Sequence, residues 1–122
     1  MDKSLVSFKL IKLHVEFKAA AIEVCKRQSL LERWADGDNR KKQKDYIRYA
    51  RLAGAALDSL IQDAPALAAE KLTVLKAAFD KSAARYREAS KSLRSRLSGE
   101  DKTEARRCEH YAQKVAELLK LF

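Results

Sequence analysis

The sequence predicts an all-α fold, an antiparallel four-helix bundle in one domain spanning residues 1–122, and three observations carry that reading. Apolar residues recur at three- and four-residue spacing through four long stretches, the signature of a buried helix face. Three glycines and one proline in 122 residues are too few to punctuate a many-stranded fold. Clusters of turn-forming residues sit at three places, which divide the chain into four segments.

Segment one, about residues 3–35, carries Val6, Leu10, Leu13, Phe17, Ala21, Val24 and Leu31 on one helical face. Phe8, Ile11, Val15, Ile22 and Cys25 are expected to widen that face. The stretch VSFKLIKLHVEF also alternates in part at period two, as a strand would; the continuation through Ala19-Ala20-Ala21 without a turn residue favours helix. Ala35-Asp36-Gly37-Asp38-Asn39 marks the first reversal, a glycine able to end one helix followed by residues able to cap the next.

Helix two then runs to about Gln62 with a seam of Tyr46, Ala50, Ala53, Leu57 and Leu60. Asp63-Ala64-Pro65 makes the second reversal, and Pro65 suits a first helical turn, where its missing N–H is not needed. Helix three, about 65–97, aligns Ala68, Leu72, Leu75, Phe79, Tyr86, Leu93 and Leu97. Ser98 with Asp101 resembles a capping box that would start helix four. That last seam is Ala105, Cys108, Ala112, Val115, Leu118 or Leu119, and Phe122. Short connections make successive helices antiparallel, and helices one and three are expected to be longer than two and four.

Charge is distributed unevenly. All eleven arginines lie in residues 23–51 and 84–107, and these windows hold seventeen bases against nine acids, whereas the rest of the chain has nine lysines against eight acids. Antiparallel folding is expected to bring the two windows to one end of the bundle. Arginine's planar, permanently charged fork suits phosphate, while lysine serves solubility equally well anywhere on a surface. Arg40, Lys41, Lys44, Arg48 and Arg51 on helix two, with Arg87, Lys91 and Arg94 on helix three and Arg106 and Arg107 on helix four, are therefore the candidate nucleic-acid-binding residues, with phosphate backbone as the expected partner. A solvated basic face with no such partner is the competing reading. Nothing in the pattern separates RNA from DNA or single from double strand.

No catalytic, metal or cofactor motif is present: there is no CxxC, HxxxH, HExxH or glycine-rich phosphate loop, and His14 and His110 fall at different heights. In EARRCEHY, Arg106, Arg107 and His110 resemble the Arg–x–x–x–x–His element of helical HEPN ribonucleases, but three residues separate Arg106 from His110 and two separate Arg107 from it, so the spacing departs from that family and no enzyme is assigned. Trp34, Tyr46 and Tyr49 lie among the bases, where they could stack on unpaired bases; core packing is the favoured role. Cys25 and Cys108 read as reduced core thiols. Charges interrupt the N-terminal apolar stretch, which argues against a signal peptide or membrane span and for the cytoplasm.

In size, helicity and basic charge, over its whole length and without a diagnostic motif, the chain is similar to the small helical subunits of CRISPR effector complexes. That resemblance implies protein partners in a larger nucleoprotein complex. The alternative is an adaptor or inhibitor docking on an acidic protein, such as a phage or plasmid accessory protein. The wide apolar face of helix one leaves a homo-oligomer open.

Overall fold

Helical periodicity dominates the chain as expected. The computed structural model describes residues 1–26 and 37–122, apart from the side chains of residues 25, 26, 37–39, 94, 95 and 98, and every regular element among the described residues is an α-helix. They are α1 (Lys3–Lys26), α2 (Gly37–Ile61), α3 (Pro65–Ala89), the short α4 (Leu93–Ser98) and α5 (Glu100–Leu119). The period-two reading of VSFKLIKLHVEF is not realised. None of these helices is long and apolar enough to cross a membrane. Leu31, Arg33, Trp34 and the start of the expected first reversal, Ala35-Asp36, lie outside the described residues.

The chain divides into two compact units, Met1–Lys71 and Leu72–Phe122, with the boundary inside α3. In the first unit α1 and α2 form an antiparallel hairpin. Its direction follows from three contacts: Lys3 with Asp63, His14 with Ala50, and Phe17 with Tyr49, whose rings meet edge-on at 6.1 Å. Asp2 starts α1 by accepting the Leu5 N–H on its side chain, which satisfies one of the first-turn donors. Val6, Leu10, Leu13, Phe17 and Ala21 are buried, as is the helix-two seam except half-buried Leu57, with Tyr49 and Ala56 added to it.

The α2–α3 turn is set by backbone geometry. Ala64 N–H reaches Ser59 O, Asp63 N–H reaches Leu60 O, and Asp63 takes φ 56, which together make a Schellman turn with an aspartate in its left-handed position. Pro65 begins α3 as its fixed φ predicts. The Ser59 hydroxyl donates to Ala55 O and accepts from Lys71 Nζ at 3.2 Å, tying the start of α3 to α2.

In the second unit Phe79 meets Tyr111, rings 5.5 Å apart, and Arg87 meets Glu109, so the later part of α3 runs antiparallel to α5. Leu72, Leu75, Phe79, Ala83, Tyr86, Ala105, Cys108, Tyr111, Ala112, Val115 and Leu118 are buried. Each such large side chain, fully withdrawn from water, is worth about 1.5–3 kcal/mol.

Four expectations need correction. Phe8, Ile11, Val15 and Ile22 do not widen the buried face of α1; they occupy its opposite side and are exposed. Helix three stops at Ala89, where the Ser90 hydroxyl donates to Arg87 O and competes with helix continuation, so Leu93 and Leu97 are 75 % and 83 % exposed in α4. Gly99, not Ser98, caps α5. Its φ of 69 is left-handed and no side chain caps the first turn, while Thr103 donates both its N–H and its hydroxyl to Gly99 O. Finally, Gly37-Asp38-Asn39 are already helical, which makes α2 as long as α3 at 25 residues each; α1 (24 residues) and α3 both exceed the 20-residue α5 as expected, but neither exceeds α2.

Candidate nucleic-acid interface

At about 100° per residue, Arg40, Lys41, Lys44, Arg48 and Arg51 fall within an arc of about 100° on α2, opposite the buried line of Tyr49, Ala53, Ala56 and Leu60. All five are exposed. The stripe is about three turns, or about 16 Å, long. Arg40 is already engaged by another group, whereas Lys41, Lys44, Arg48 and Arg51 have no ion pair among the described residues. Like charges three and four residues apart cost a few tenths of a kcal/mol per pair, a penalty that a polyanion would relieve. Asp45, half-buried beside the stripe, is itself engaged; Asp58, two turns beyond Arg51, ends the face.

In the second unit three of the candidate bases already face carboxylates, while Arg96, Lys102 and Arg106 have no ion pair among the described residues. Arg87 grips Glu109 through two parallel bonds, Nε to Oε1 at 2.8 Å and Nη2 to Oε2 at 2.9 Å. This fork holds the Glu109 carboxyl below the usual carboxylate range and raises the already high Arg87 value. Lys91 pairs with Glu88 at 3.0 Å. Arg107 lies 3.8 Å from Glu104 and over the Tyr111 ring at 6.0 Å. Arg106 is exposed and its charge also favours ionised Glu109. Arg94 belongs to α4, but its side chain is outside the described residues.

No tyrosine is exposed. Tyr46 and Tyr49 are buried with their rings edge-on at 5.6 Å, Tyr86 is buried under the Arg85 guanidinium at 4.9 Å, and Tyr111 is buried. The core role of Tyr46 and Tyr49 therefore holds, and neither offers a stacking platform for bases. His110 is exposed on α5, its ring 5.7 Å from that of Tyr111. Cys108 is buried and in no disulfide, and the Cys25 side chain is outside the described residues. No group of three His, Cys, Asp or Glu residues among those described is gathered to hold a metal ion.

Sequence reasoning missed one feature, an open groove of about 680 Å³ between α1 and α2. At its floor the His14 ring nitrogen Nδ1 stands 2.8 Å from Ala50 O; since a carbonyl only accepts, Nδ1 carries the proton. Gly54 lies against that ring, where an added Cβ would come within 2.9 Å of His14 Cε1. The interruption of α2 by a glycine was the available signal. No family model, curated protein or solved structure matches this chain.

Proposed function

We propose that the outer face of α2 binds nucleic acid through its phosphate backbone, as a non-catalytic cytoplasmic module of a larger nucleoprotein complex. The supporting observation is the single exposed arc of Arg40, Lys41, Lys44, Arg48 and Arg51, four of them without ion pairs among the described residues. With the tyrosines buried, affinity would come from counterion release and carry little sequence preference. Arg87, Lys91 and Arg107 contribute less, because each already faces a carboxylate. The reading needs only the first unit and does not require the two arginine windows to meet.

The test is fluorescence anisotropy on duplex and single-stranded DNA and RNA across a salt series. Five neutralised phosphates give log K against log salt a slope of about −4 to −4.5 on duplex, shallower on a single strand. The variant Lys44→Gln/Arg48→Gln/Arg51→Gln flattens that slope by about 2.7. An unchanged slope in the variant, or a flat response in the wild-type chain, refutes the assignment. A second reading, an adaptor or inhibitor on an acidic protein, is favoured by the apolar groove beside the stripe; stable, salt-insensitive capture of one protein without nucleic-acid affinity would select it.

A further inference from the structure

Helix α1 has two apolar sides. One is the core; on the other, Phe8 is 64 %, Ile11 46 %, Val15 57 % and Ile22 56 % exposed. Their spacing of three, four and seven residues is the a/d pattern of a coiled-coil seam, with Lys18 at the one intervening d position. Such a pattern on a side that the fold leaves in water marks a surface shaped for another helix.

The seam merges with the α1–α2 groove, which His14, Lys18, Ile22, Ile47, Arg51 and Gly54 help to line. Gly54 and Ala50 keep the floor low, and the bond from His14 to Ala50 O holds the ring down. A helix about 10 Å across can therefore lie along the seam with its side chains entering the groove.

Charge decides the occupant. Lys12, Lys18 and Arg51 border the surface and have no ion pair among the described residues. Of the neighbouring acids, Glu23 is already engaged, Glu16 is half-buried one turn from Lys12 and off the seam, and Asp58 lines the groove. A second copy of the chain, with net charge +9, would set lysine against lysine and bury Lys18 unpaired, which opposes self-pairing. We propose that the outer seam of α1 and the adjoining groove dock an acidic amphipathic helix of a partner protein, with apolar side chains at three- and four-residue spacing on the seam and Asp or Glu facing Lys12, Lys18 and Arg51. This surface is separate from the α2 stripe apart from Arg51, and the inference does not rest on nucleic-acid binding.

The experiment pans a displayed library of single helices against the full chain. Seam positions of the library are apolar, and flanking positions are drawn equally from Asp/Glu, Lys/Arg and Ser. Enriched helices carry acidic flanks, and synthetic peptides made from them bind at least tenfold more weakly to Val15→Glu and to Lys18→Glu/Arg51→Glu. Both variants alter exposed positions, and circular dichroism confirms their fold. No enrichment, enrichment without charge preference, or peptides that bind Val15→Glu undiminished overturns the proposal. So does sedimentation showing a wild-type dimer that Val15→Glu dissolves, since a second copy would then own the seam.

Discussion

Substituting Gly54 by alanine sets two known effects against each other at one residue. In the interior of a helix, alanine is favoured over glycine by about 1 kcal/mol. The new Cβ, however, would sit 2.9 Å from His14 Cε1 and 3.4 Å from Nδ1, too close for the ring to remain where it is. The ring is held by its 2.8 Å bond to Ala50 O, and moving it forfeits about 1 kcal/mol of net hydrogen bonding together with about 0.5–1.5 kcal/mol if it leaves its rotamer well. Gly54→Ala in the wild-type background should thus lie between neutral and about 1.5 kcal/mol destabilising. In a His14→Ala background the clash disappears, and the same change should stabilise by about 1 kcal/mol. Urea unfolding of the four chains, followed by far-ultraviolet circular dichroism, gives the coupling energy directly. Additivity to within about 0.3 kcal/mol would refute the claim that Gly54 is kept for the histidine ring.

Gly99→Ala should destabilise by about 1–2 kcal/mol, read from the urea midpoint, because φ 69 disfavours a Cβ that would touch nothing within 4 Å; a neutral result would mean that the backbone relaxes out of the left-handed region. Glu109 is more acidic in the folded chain than in the unfolded one, first through its bond from Arg87, so its contribution is present above the ordinary glutamate value and lost as pH falls through the depressed folded one. The melting temperature of the wild-type chain should therefore exceed that of Glu109→Gln at pH 7 and converge with it in the acid range, by calorimetry at matched ionic strength. Arg87→Glu should lower the melting temperature by setting two carboxylates face to face, whereas Arg48→Glu should leave it unchanged within error and weaken only polyanion binding; equal losses would contradict the division drawn between the two units.

Periodicity made most of the helical structure legible, since Val6, Leu10, Phe17, Ala53, Leu72, Phe79 and Val115 sit on the faces their spacing implies. The misreadings share a cause. Apolar character alone points Phe8, Ile11, Val15 and Ile22 to the core, yet their spacing places them about half a turn from Leu10 and Phe17, and one helix surface cannot bury both sides in a hairpin. Leu93 and Leu97 keep the register of helix three on paper, but the Ser90 hydroxyl offers the backbone a competing bond at Arg87 O and the helix ends at Ala89. Turn chemistry at Asp63-Ala64-Pro65 was read correctly because proline's constraint is local, and locality is what a single sequence displays.

Charge is where local reading fails. The two arginine windows have the same excess, four bases over acids in each, so counting cannot rank them. What separates them is which carboxylates the fold delivers. Glu109 lies two residues beyond the second window and faces Arg87 only because α3 and α5 run antiparallel at that height; Glu88 and Glu104 reach Lys91 and Arg107 along their own helical surfaces. On α2 the geometry works the other way. Asp45 is half-buried beside the stripe and Asp58 stands two turns past its end, and Lys41, Lys44, Arg48 and Arg51 are exposed with no ion pair among the described residues. A bidentate arginine must break an existing pair before it can meet a phosphate, whereas a solvated one exchanges only its counterion. On the proposed function, polyanion binding would follow unpaired charge rather than charge density: α2 gathers four bases without ion pairs among the described residues on one arc, whereas in the second unit Arg87, Lys91 and Arg107 are paired and Arg96, Lys102 and Arg106 are not.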